Sequence, residues 1–371
     1  MRGAAIRPMV IAAGGTGGHV FPAAALAEAL AARGRWVALM TDTRSADLAA
    51  DHFGGCERYV IRGGGLAGRN LLRAATAAGA LALGVIEARA ILARIGAEAV
   101  IGFGGYPSVA PVLAARLLRR RPRIVLHEQN AVLGRANRFL ARRADLLALS
   151  FAPTARVPEG VRTELVGNPV RAPIAALAGQ GYVPPQDRIR LLVLGGSLGA
   201  RVLSDVVPAA LAALPEALRA RLDLVQQCRE DDLARVRAAC EAAGIAAETA
   251  AFFNDIPQRL ARAHLVIARA GASTVAELAV AGRPAILVPL PSAIDDHQTA
   301  NARALAIAGG GWLLPQPHFT AKSLAHRLGR LFETPASLAE AATAAARFGR
   351  ADAAERLAAR VDALIGAESG R

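Results

Sequence analysis

A short apolar run that breaks into glycine and then resumes as a helical pattern occurs twice in this chain, about 180 residues apart. The first copy leads from Met9 to Ala13 into Gly14-Gly15-Thr16-Gly17-Gly18-His19, with Leu26 and Leu30 continuing the helix. The second leads from Arg190 to Leu194 into Gly195-Gly196-Ser197-Leu198-Gly199-Ala200. Each reads as a strand, a glycine turn and a helix start. Without side chains, such a turn lets backbone N–H groups crowd around an anion at the helix N-terminus, where the macrodipole also favours negative charge. A repeat of this length points to two similar doubly wound domains rather than a short-period array. The chain has 371 residues, too long for one ordinary core.

The intervening pattern agrees with parallel sheets. Apolar stretches at Trp36–Thr41, Ala99–Phe103, Arg123–Leu126 and Leu146–Leu149 alternate with helical patterns in the first half, and Leu222–Gln226, Thr249–Phe253, Leu265–Ala268 and Ala285–Pro289 do so in the second. Short continuous apolar strands of this kind are covered on both faces. Ligands of such sheets gather at the carboxyl ends of the strands. That rule puts Gly14 to His19, Gly105-Tyr106 and His127-Glu128-Gln129-Asn130 on one rim. Residues 166–188, with Gly167-Asn168-Pro169 and a Gly-Tyr-Val-Pro-Pro run, read as a linker.

Neither common nucleotide loop is satisfied. The dinucleotide fingerprint needs glycine at its first, third and sixth positions, but counting from Gly15 the sixth is Val20. An NAD-dependent oxidoreductase is disfavoured on that ground. The P-loop needs Gly-Lys-Ser/Thr, and the one lysine, Lys322, follows Ala321 with no glycine run before it. What the first loop does carry is His19, a side chain able to exchange a proton near neutral pH.

Charge is uneven along the chain. Residues 1–170 hold 22 Arg against 11 Asp and Glu, a balance of +11 within a total of +14. A basic first half suits an anionic surface or ligand, although 43 Arg to a single Lys also has the look of coding bias. Aromatic residues are only 4%, and no helix-turn-helix, zinc-finger or RNP pattern occurs, so nucleic acid is not expected as a partner. Cys56, Cys228 and Cys240 are odd in number without CxxC spacing, which fits reduced thiols in a cytosolic compartment. No signal peptide is expected, because the first apolar run flows straight into the glycine loop. Ala74 to Ile86 is 13 uncharged residues flanked by arginines, short of the ~20 a membrane helix needs. It fits an interfacial helix or a buried amphipathic one.

The second rim is denser in chemistry. Arg269-Ala270-Gly271-Ala272-Ser273-Thr274 follows a strand and opens a helix, and Glu277 lies eight residues beyond Arg269, roughly two turns into the element. A carboxylate so placed can accept two hydrogen bonds from a ribose diol; a solvated helix charge is the alternative. Asp295-Asp296-His297 hints at a metal, but adjacent acids point different ways and no Asp-x-Asp pair occurs, so neither a metal nor another cofactor is expected.

Together, GGTGGHVFPA at 14, GFGGYPS at 102, HEQNAVLGRAN at 127, GNPVR at 167, GGSLGAR at 195, RAGASTVAE at 269 and HQTANA at 297 resemble the motifs of the MurG family, in the family's order and over most of the chain. The resemblance implies an α/β fold of GT-B type, with two Rossmann-like domains facing across a cleft. It implies an acceptor-binding, membrane-facing domain at 1–166, a linker at 167–188, a donor-binding domain at 189–350 and a C-terminal helix at 351–371 returning to the first domain. The implied reaction is metal-independent, inverting transfer of N-acetylglucosamine from UDP-N-acetylglucosamine to the 4-hydroxyl of undecaprenyl-linked muramyl-pentapeptide, at the cytoplasmic face of the inner membrane, on which the protein would be peripheral and held by an anionic membrane surface.

Carried over residue by residue, Ser197, Thr16, Gly17 and Gly18 would contact the donor diphosphate. Ala272, Ser273 and Thr274 would line the nucleotide, Glu277 would hold the ribose, and the Phe253 backbone would read the uracil edge. Gln298, Asn130 and Arg171 would bind the sugar and phosphate side, with Gly105 and Tyr106 toward the acceptor and His19 or Glu128 as the base. Three departures stand out. Phe253 replaces a smaller aliphatic residue, His297 stands where the family can carry a second glutamine, and Leu71 to Ile86 lacks large interfacial aromatics. Epimerisation of UDP-N-acetylglucosamine and non-catalytic sensing of that nucleotide sugar are the rival readings. A donor-only protein has no need of the polar HEQN and GGYPS rim.

Overall fold

The computed structural model describes residues 7–43, 45–46, 53–62, 71–196 and 199–369. Ser197 and the glycine run at 63–68 lie outside the described residues. The chain divides into two compact units, Met1–Arg171 joined by Asp352–Arg371, and Ala172–Ala351. The segment 167–188 is thus shared, Gly167 to Arg171 going with the first unit, and a helical turn at Ala172–Ala175 opening the second.

The first unit holds one parallel sheet of seven strands: β1 (Met9–Ala12), β2 (Val37–Asp42), β3 (Glu57–Ile61), β4 (Ala99–Gly102), β5 (Arg123–Glu128), β6 (Leu146–Leu149) and β7 (Thr163–Leu165), in the order β3-β2-β1-β4-β5-β6-β7. The second holds six: β8 (Ile189–Leu194), β9 (Leu222–Gln227), β10 (Ala246–Ala250), β11 (Leu265–Ala268), β12 (Ala285–Leu287) and β13 (Gly311–Leu313), in the order β10-β9-β8-β11-β12-β13. Both are the Rossmann order, in which the unit's first strand lies inside the sheet and the winding reverses beside it. The central strands β1, β4 and β11 are fully buried along their whole length, as double coverage requires.

Helices cover both faces of the first sheet. Against one face pack α1 (Gly17–Ala32) and the last helix of the chain, Ala353–Ser369, which contributes Leu357, Ala358, Val361 and Ile365 to the same core as Ile11, Leu26 and Ile101. Asp362 on that last helix pairs with Arg33 and Arg35, at 2.9 and 2.8 Å. Against the other face pack α2 (Leu71–Ile95), α3 (Val109–Arg116) and α4 (Arg135–Leu140), whose core includes Ala88, Leu92, Val112 and Leu140.

Two sequence expectations change. The strand placed at Thr249–Phe253 ends at Ala250, so Phe253 lies in the loop beyond it. The uncharged stretch from Ala74 is the middle of the 25-residue helix α2. Within α2, Thr76–Ile95 is long and apolar enough to cross a membrane by length and composition, and only 17% of it is buried. Arg73, Glu87, Arg89 and Arg94 bound the uncharged stretch but lie within the helix, which is why counting uncharged residues alone undershot its length.

Because Leu357 is wholly buried between the last helix and the first sheet, Leu357→Ala should cost about 2–5 kcal/mol of stability. Urea unfolding followed by tryptophan fluorescence and circular dichroism checks this; an unchanged midpoint would mean that the last helix is not part of that core.

Candidate functional site

The first unit's rim is built where the sheet reverses. β1 lies between β2 and β4, and the chain leaves it through Gly14 and Gly15. A Cβ at Gly14 would stand 2.7 Å from Ser45 Oγ and 2.9 Å from the Pro107 ring, so only glycine passes, and Gly15 takes φ +92°. The Gly15 N–H donates to Ser45 Oγ, whose hydroxyl donates to Asp42 Oδ1, both at 2.6 Å. Thr16 then starts α1 with extended backbone, its carbonyl accepting from His19 N and Val20 N. No side chain caps α1 and no acid stands in its first turn. The N–H groups of a helix's first turn lack intrahelical partners, so Gly17 and Gly18 offer an exposed anion-binding end.

His19 sits in that first turn, half-buried. Its Nδ1 is 3.1 Å from Gln129 Oε1. The Gln129 Nε2 in turn donates to Phe103 O at 2.9 Å and faces His127 Nδ1 at 3.2 Å. His127 is wholly buried, with Nε2 2.9 Å from Gly167 O, and burial pushes its pKa down to about 4. The loop after β4 closes over the His19 ring. Gly104 and Gly105 take φ +80° and +68°, and a Cβ at Gly105 would stand 3.7 Å from His19 Nε2. Ser108 Oγ locks that loop by contacts to Ala12 O and Gly104 O at 2.9 and 2.8 Å. Tyr106 projects from the same turn, 43% exposed.

Glu128, expected as a possible base, turns away from His19. It is buried, and its carboxylate accepts from Asn130 N and Nδ2 on one oxygen and from Gly134 N and Asn137 Nδ2 on the other, at 2.9–3.1 Å. Four donors fill its acceptor sites, so it holds the loop 130–137 in place and with it Asn130. Arg171, the last residue of the first unit, lies over the Phe21 ring of α1 at 5.2 Å. Thr16, Gly17, Gly18, His19, Gly105, Tyr106, Asn130 and Glu128 are therefore brought to one rim.

The second unit repeats the plan. The Gly195 N–H donates to Gln227 Oε1 at 3.2 Å, and Gln227 Nε2 donates to Ala251 O at 3.2 Å, tying the loop after β8 to the loop after β10. That second loop carries Phe253, which is buried under the Arg259 guanidinium at 4.0 Å. Arg259 is itself gripped by both Glu248 oxygens and by Asp255, each at 2.7 Å, contacts that hold its pKa above the usual arginine range.

After β11 comes α5 (Ala272–Val280), capped by the Gly271 backbone with no side-chain cap, so the first-turn N–H groups of Ala272, Ser273 and Thr274 are again unpaired within the helix. Ser273 Oγ is buried without a hydrogen-bond partner, and Glu277 is half-buried one turn beyond Thr274. Gln298, in α6 (His297–Ile307), accepts the Leu290 N–H at 3.0 Å.

Residues to which the sequence alone assigns no individual role hold these rims: Ser45 and Asp42, Gln129, Gln227, and Arg269, which donates to Val288 O, Pro289 O and Gln316 Oε1 at 2.8–3.1 Å. The signal for Gln129 is its place two residues past His127, at a strand's carboxyl end. Among the described residues no three His, Cys, Asp or Glu side chains form a set that could hold a metal. His297, adjacent to the two aspartates, donates Nδ1–H to Ile294 O instead. A groove of about 560 Å³ on the second unit lies off the rim, at the amino-terminal halves of β8 and β9, and Glu248 and Asp255 on its wall are bound to Arg259.

Known proteins share this two-unit fold. The model of the glycosyltransferase family 28 N-terminal domain matches residues 9–148, and that of the family 28 C-terminal domain matches 190–357. A protein of Granulibacter bethesdensis is 60% identical over 96% of this chain and 94% of its own length, and one of Acidiphilium cryptum is 55% identical over 96% and 97%. Both are named UDP-N-acetylglucosamine–N-acetylmuramyl-(pentapeptide) pyrophosphoryl-undecaprenol N-acetylglucosamine transferase. The crystal structure of Acinetobacter baumannii MurG is 31% identical, with a TM-score of 0.77, covering 96% of this chain and 99% of that one. With both halves of the family model matched and such relatives along nearly its whole length, the chain belongs to glycosyltransferase family 28 and, within it, to the MurG family.

Proposed function

We propose that this chain transfers N-acetylglucosamine from UDP-N-acetylglucosamine to the 4-hydroxyl of the muramyl residue of undecaprenyl-pyrophosphoryl-N-acetylmuramyl-pentapeptide, with inversion, the step that turns lipid I into lipid II in peptidoglycan synthesis. One observation carries the substrates: relatives 50–60% identical over nearly the full length are named for that donor and that acceptor. The polar rim of the first unit supports an acceptor role there, and the loops of the second unit a donor role.

In this reading the acceptor hydroxyl oxygen bonds to the anomeric carbon as the bond from that carbon to the UDP oxygen breaks. The hydroxyl proton passes to His19 Nε2, and the electron pair of the broken bond leaves with UDP. The departing diphosphate needs fixed positive potential, and the open helix starts at Gly17-Gly18 and Ala272–Thr274 supply it without a proton of their own. Arg171, Thr16 and Asn130 add contacts on the phosphate and sugar side, and Ser197 belongs with them by its place in the loop after β8. Glu277 accepts from the ribose hydroxyls, the Phe253 backbone meets the uracil edge, and Gln298 faces the sugar. Gly105 and Tyr106 border the acceptor, and Glu128 positions Asn130. No metal takes part.

The first unit docks on an anionic membrane surface at the cytoplasmic face. α2 exposes Leu83 and Ile86, Leu117 stands exposed beside it where Arg89 Nε reaches its carbonyl at 3.5 Å, and Phe139 is exposed under Arg143. Arg119, Arg120 and Arg121 are exposed just beyond. Apolar tips among cations suit a headgroup layer rather than a span.

The first experiment is UDP release from UDP-N-acetylglucosamine in the presence of a chelator. Release should require the lipid-linked acceptor and ignore the chelator; release without acceptor would favour epimerisation or hydrolysis. His19→Ala should lower turnover by about 10²- to 10⁴-fold at unchanged UDP affinity. Glu277→Ala should do the converse, weakening UDP by about 10- to 100-fold through lost charge-assisted hydrogen bonds, as calorimetry would read. In co-sedimentation, the protein should bind anionic vesicles at low salt and be released at high salt, with Leu83→Ser and Ile86→Ser together weakening it; equal binding to neutral vesicles would remove the arginines from docking.

A further inference from the structure

We propose that Gln129 is a positioning residue that holds His19 in its Nδ1–H tautomer, leaving Nε2 as the bare acceptor. The consequence for turnover rests on His19 being the base, but the tautomer itself does not.

The orientation of the Gln129 carboxamide is forced. Its nitrogen stands 2.9 Å from Phe103 O and 3.4 Å from His127 O, and carbonyl oxygens only accept. Turning the amide over would press its oxygen against both. The oxygen therefore faces His19, 3.1 Å from Nδ1. An amide oxygen cannot donate, so the hydrogen between them belongs to His19 Nδ1. A neutral imidazole carries one N–H, so Nε2 is left with its lone pair.

The far end of the chain of hydrogen bonds enforces the same direction. His127 Nε2 lies 2.9 Å from Gly167 O, which can only accept, so that nitrogen carries the hydrogen. Its Nδ1 then accepts from Gln129 Nε2 at 3.2 Å. Burial keeps the ring neutral at physiological pH, as its low pKa of about 4 reflects. A protonated His127 would set N–H against N–H at this contact. Every donation thus runs from His19 through Gln129 to the backbone at Phe103 and Gly167, and neither carbonyl can reverse it.

The ring's other side agrees. Nε2 lies against Gly105, where a side chain would begin 3.7 Å away, and the glycine leaves that approach clear. When Nε2 takes a proton, Nδ1–H still donates to Gln129, so the network accommodates both states of the base without rearranging. Gln129 and His127 are both buried, 1% and 0% exposed, which keeps water from competing for these contacts.

The test is 15N NMR of the full-length protein labelled at histidine, with His19 assigned by its loss in His19→Asn. The wild type should show His19 Nδ1 protonated and Nε2 bare at a pH where the ring is neutral. Gln129→Leu should return His19 to a mixture rich in Nε2–H and lower kcat by about 10- to 100-fold, with UDP affinity unchanged because Gln129 bonds to His19, Phe103 and His127 and to no residue assigned to UDP. A protonated Nε2 in the wild type would overturn the proposal, and so would a Gln129→Leu protein that keeps both tautomer and turnover. The wild-type spectrum decides the matter even where the variant fails to fold. Should His19→Ala retain turnover, the base reading falls, and the spectrum still judges the tautomer.

Discussion

A parallel sheet whose first strand lies inside it has to part at that strand's carboxyl end. Beside β1 and β8 the winding reverses, so the loops that follow β1 and β4, and those that follow β8 and β11, run to opposite faces and leave backbone N–H groups without a neighbour to cover them. The candidate site residues of each unit gather around its own opening. At the first opening the glycines at 14 and 15 let the chain turn, Ser45 and Asp42 brace the turn, and α1 presents its uncapped start; at the second, α5 presents its own. The topology explains why the anion-binding parts recur about 180 residues apart without a shared nucleotide motif.

The openings differ in what surrounds them. Around the first, the protein buries a set of polar side chains that a simple core would exclude: His127, Glu128, Gln129 and Asn137 are each at most 1% exposed. A buried polar group left unpaired costs about 1–3 kcal/mol, so such a set is tolerable only if its members satisfy one another. They do so, Asn137 Oδ1 excepted, in two systems that meet at the His127 carbonyl. Glu128 gathers N–H groups from its own loop, while Gln129 links His19, His127 and the backbone across 110 residues of sequence. Around the second opening one long arginine, Arg259, is fixed by two acids and covers Phe253, a firmer support for a backbone contact than a mobile loop would be. The aromatic ring at 253, larger than the aliphatic residue expected there, gives that guanidinium a face to stack on.

How far the sequence reveals this depends on where in a sheet a residue falls. The inner strands β1, β2, β4, β5, β6, β8, β9, β11 and β12 were legible, because coverage on both faces favours apolar residues along them. The strands that escaped, β3, β7 and β13, are all edges, and β10, whose boundaries were misplaced, is an edge as well. An edge strand is half-solvated and short: β3 exposes Glu57, Arg58 and Val60, and β7 and β13 have three residues each. Site residues follow a similar division. Glycine turns and helix starts declare themselves locally, which is why the helix starts at Thr16 to His19 and Ala272 to Thr274 were legible. Whether Glu128 faces a substrate or its own loop, and which atom Gln129 meets, are decided by partners distant in sequence. The apolar stretch from Ala74 shows the same limit from another side, since its charge count says nothing of the helix into which Glu87, Arg89 and Arg94 continue it.

Two electrical tasks confront a glycosyl transfer, and the two kinds of device in this chain suit them separately. A diphosphate leaves with more negative charge than it held in the bond, and fixed dipoles at helix starts meet that charge without taking up or losing protons. The attacking hydroxyl, by contrast, must lose a proton, and a group that takes it has to change charge while its surroundings stay still. A cation beside that group would oppose the change. His127 faces the amide of the His19–Gln129 pair, and because it is buried deeply enough to stay neutral it adds no such opposition. A lysine or arginine in place of His127 would offer the Gln129 amide nitrogen no acceptor and would place a positive charge behind it. The neutral imidazole, donor on one side and acceptor on the other, passes a fixed direction of hydrogen bonding through the domain while leaving the charge at the rim free to respond to the substrate.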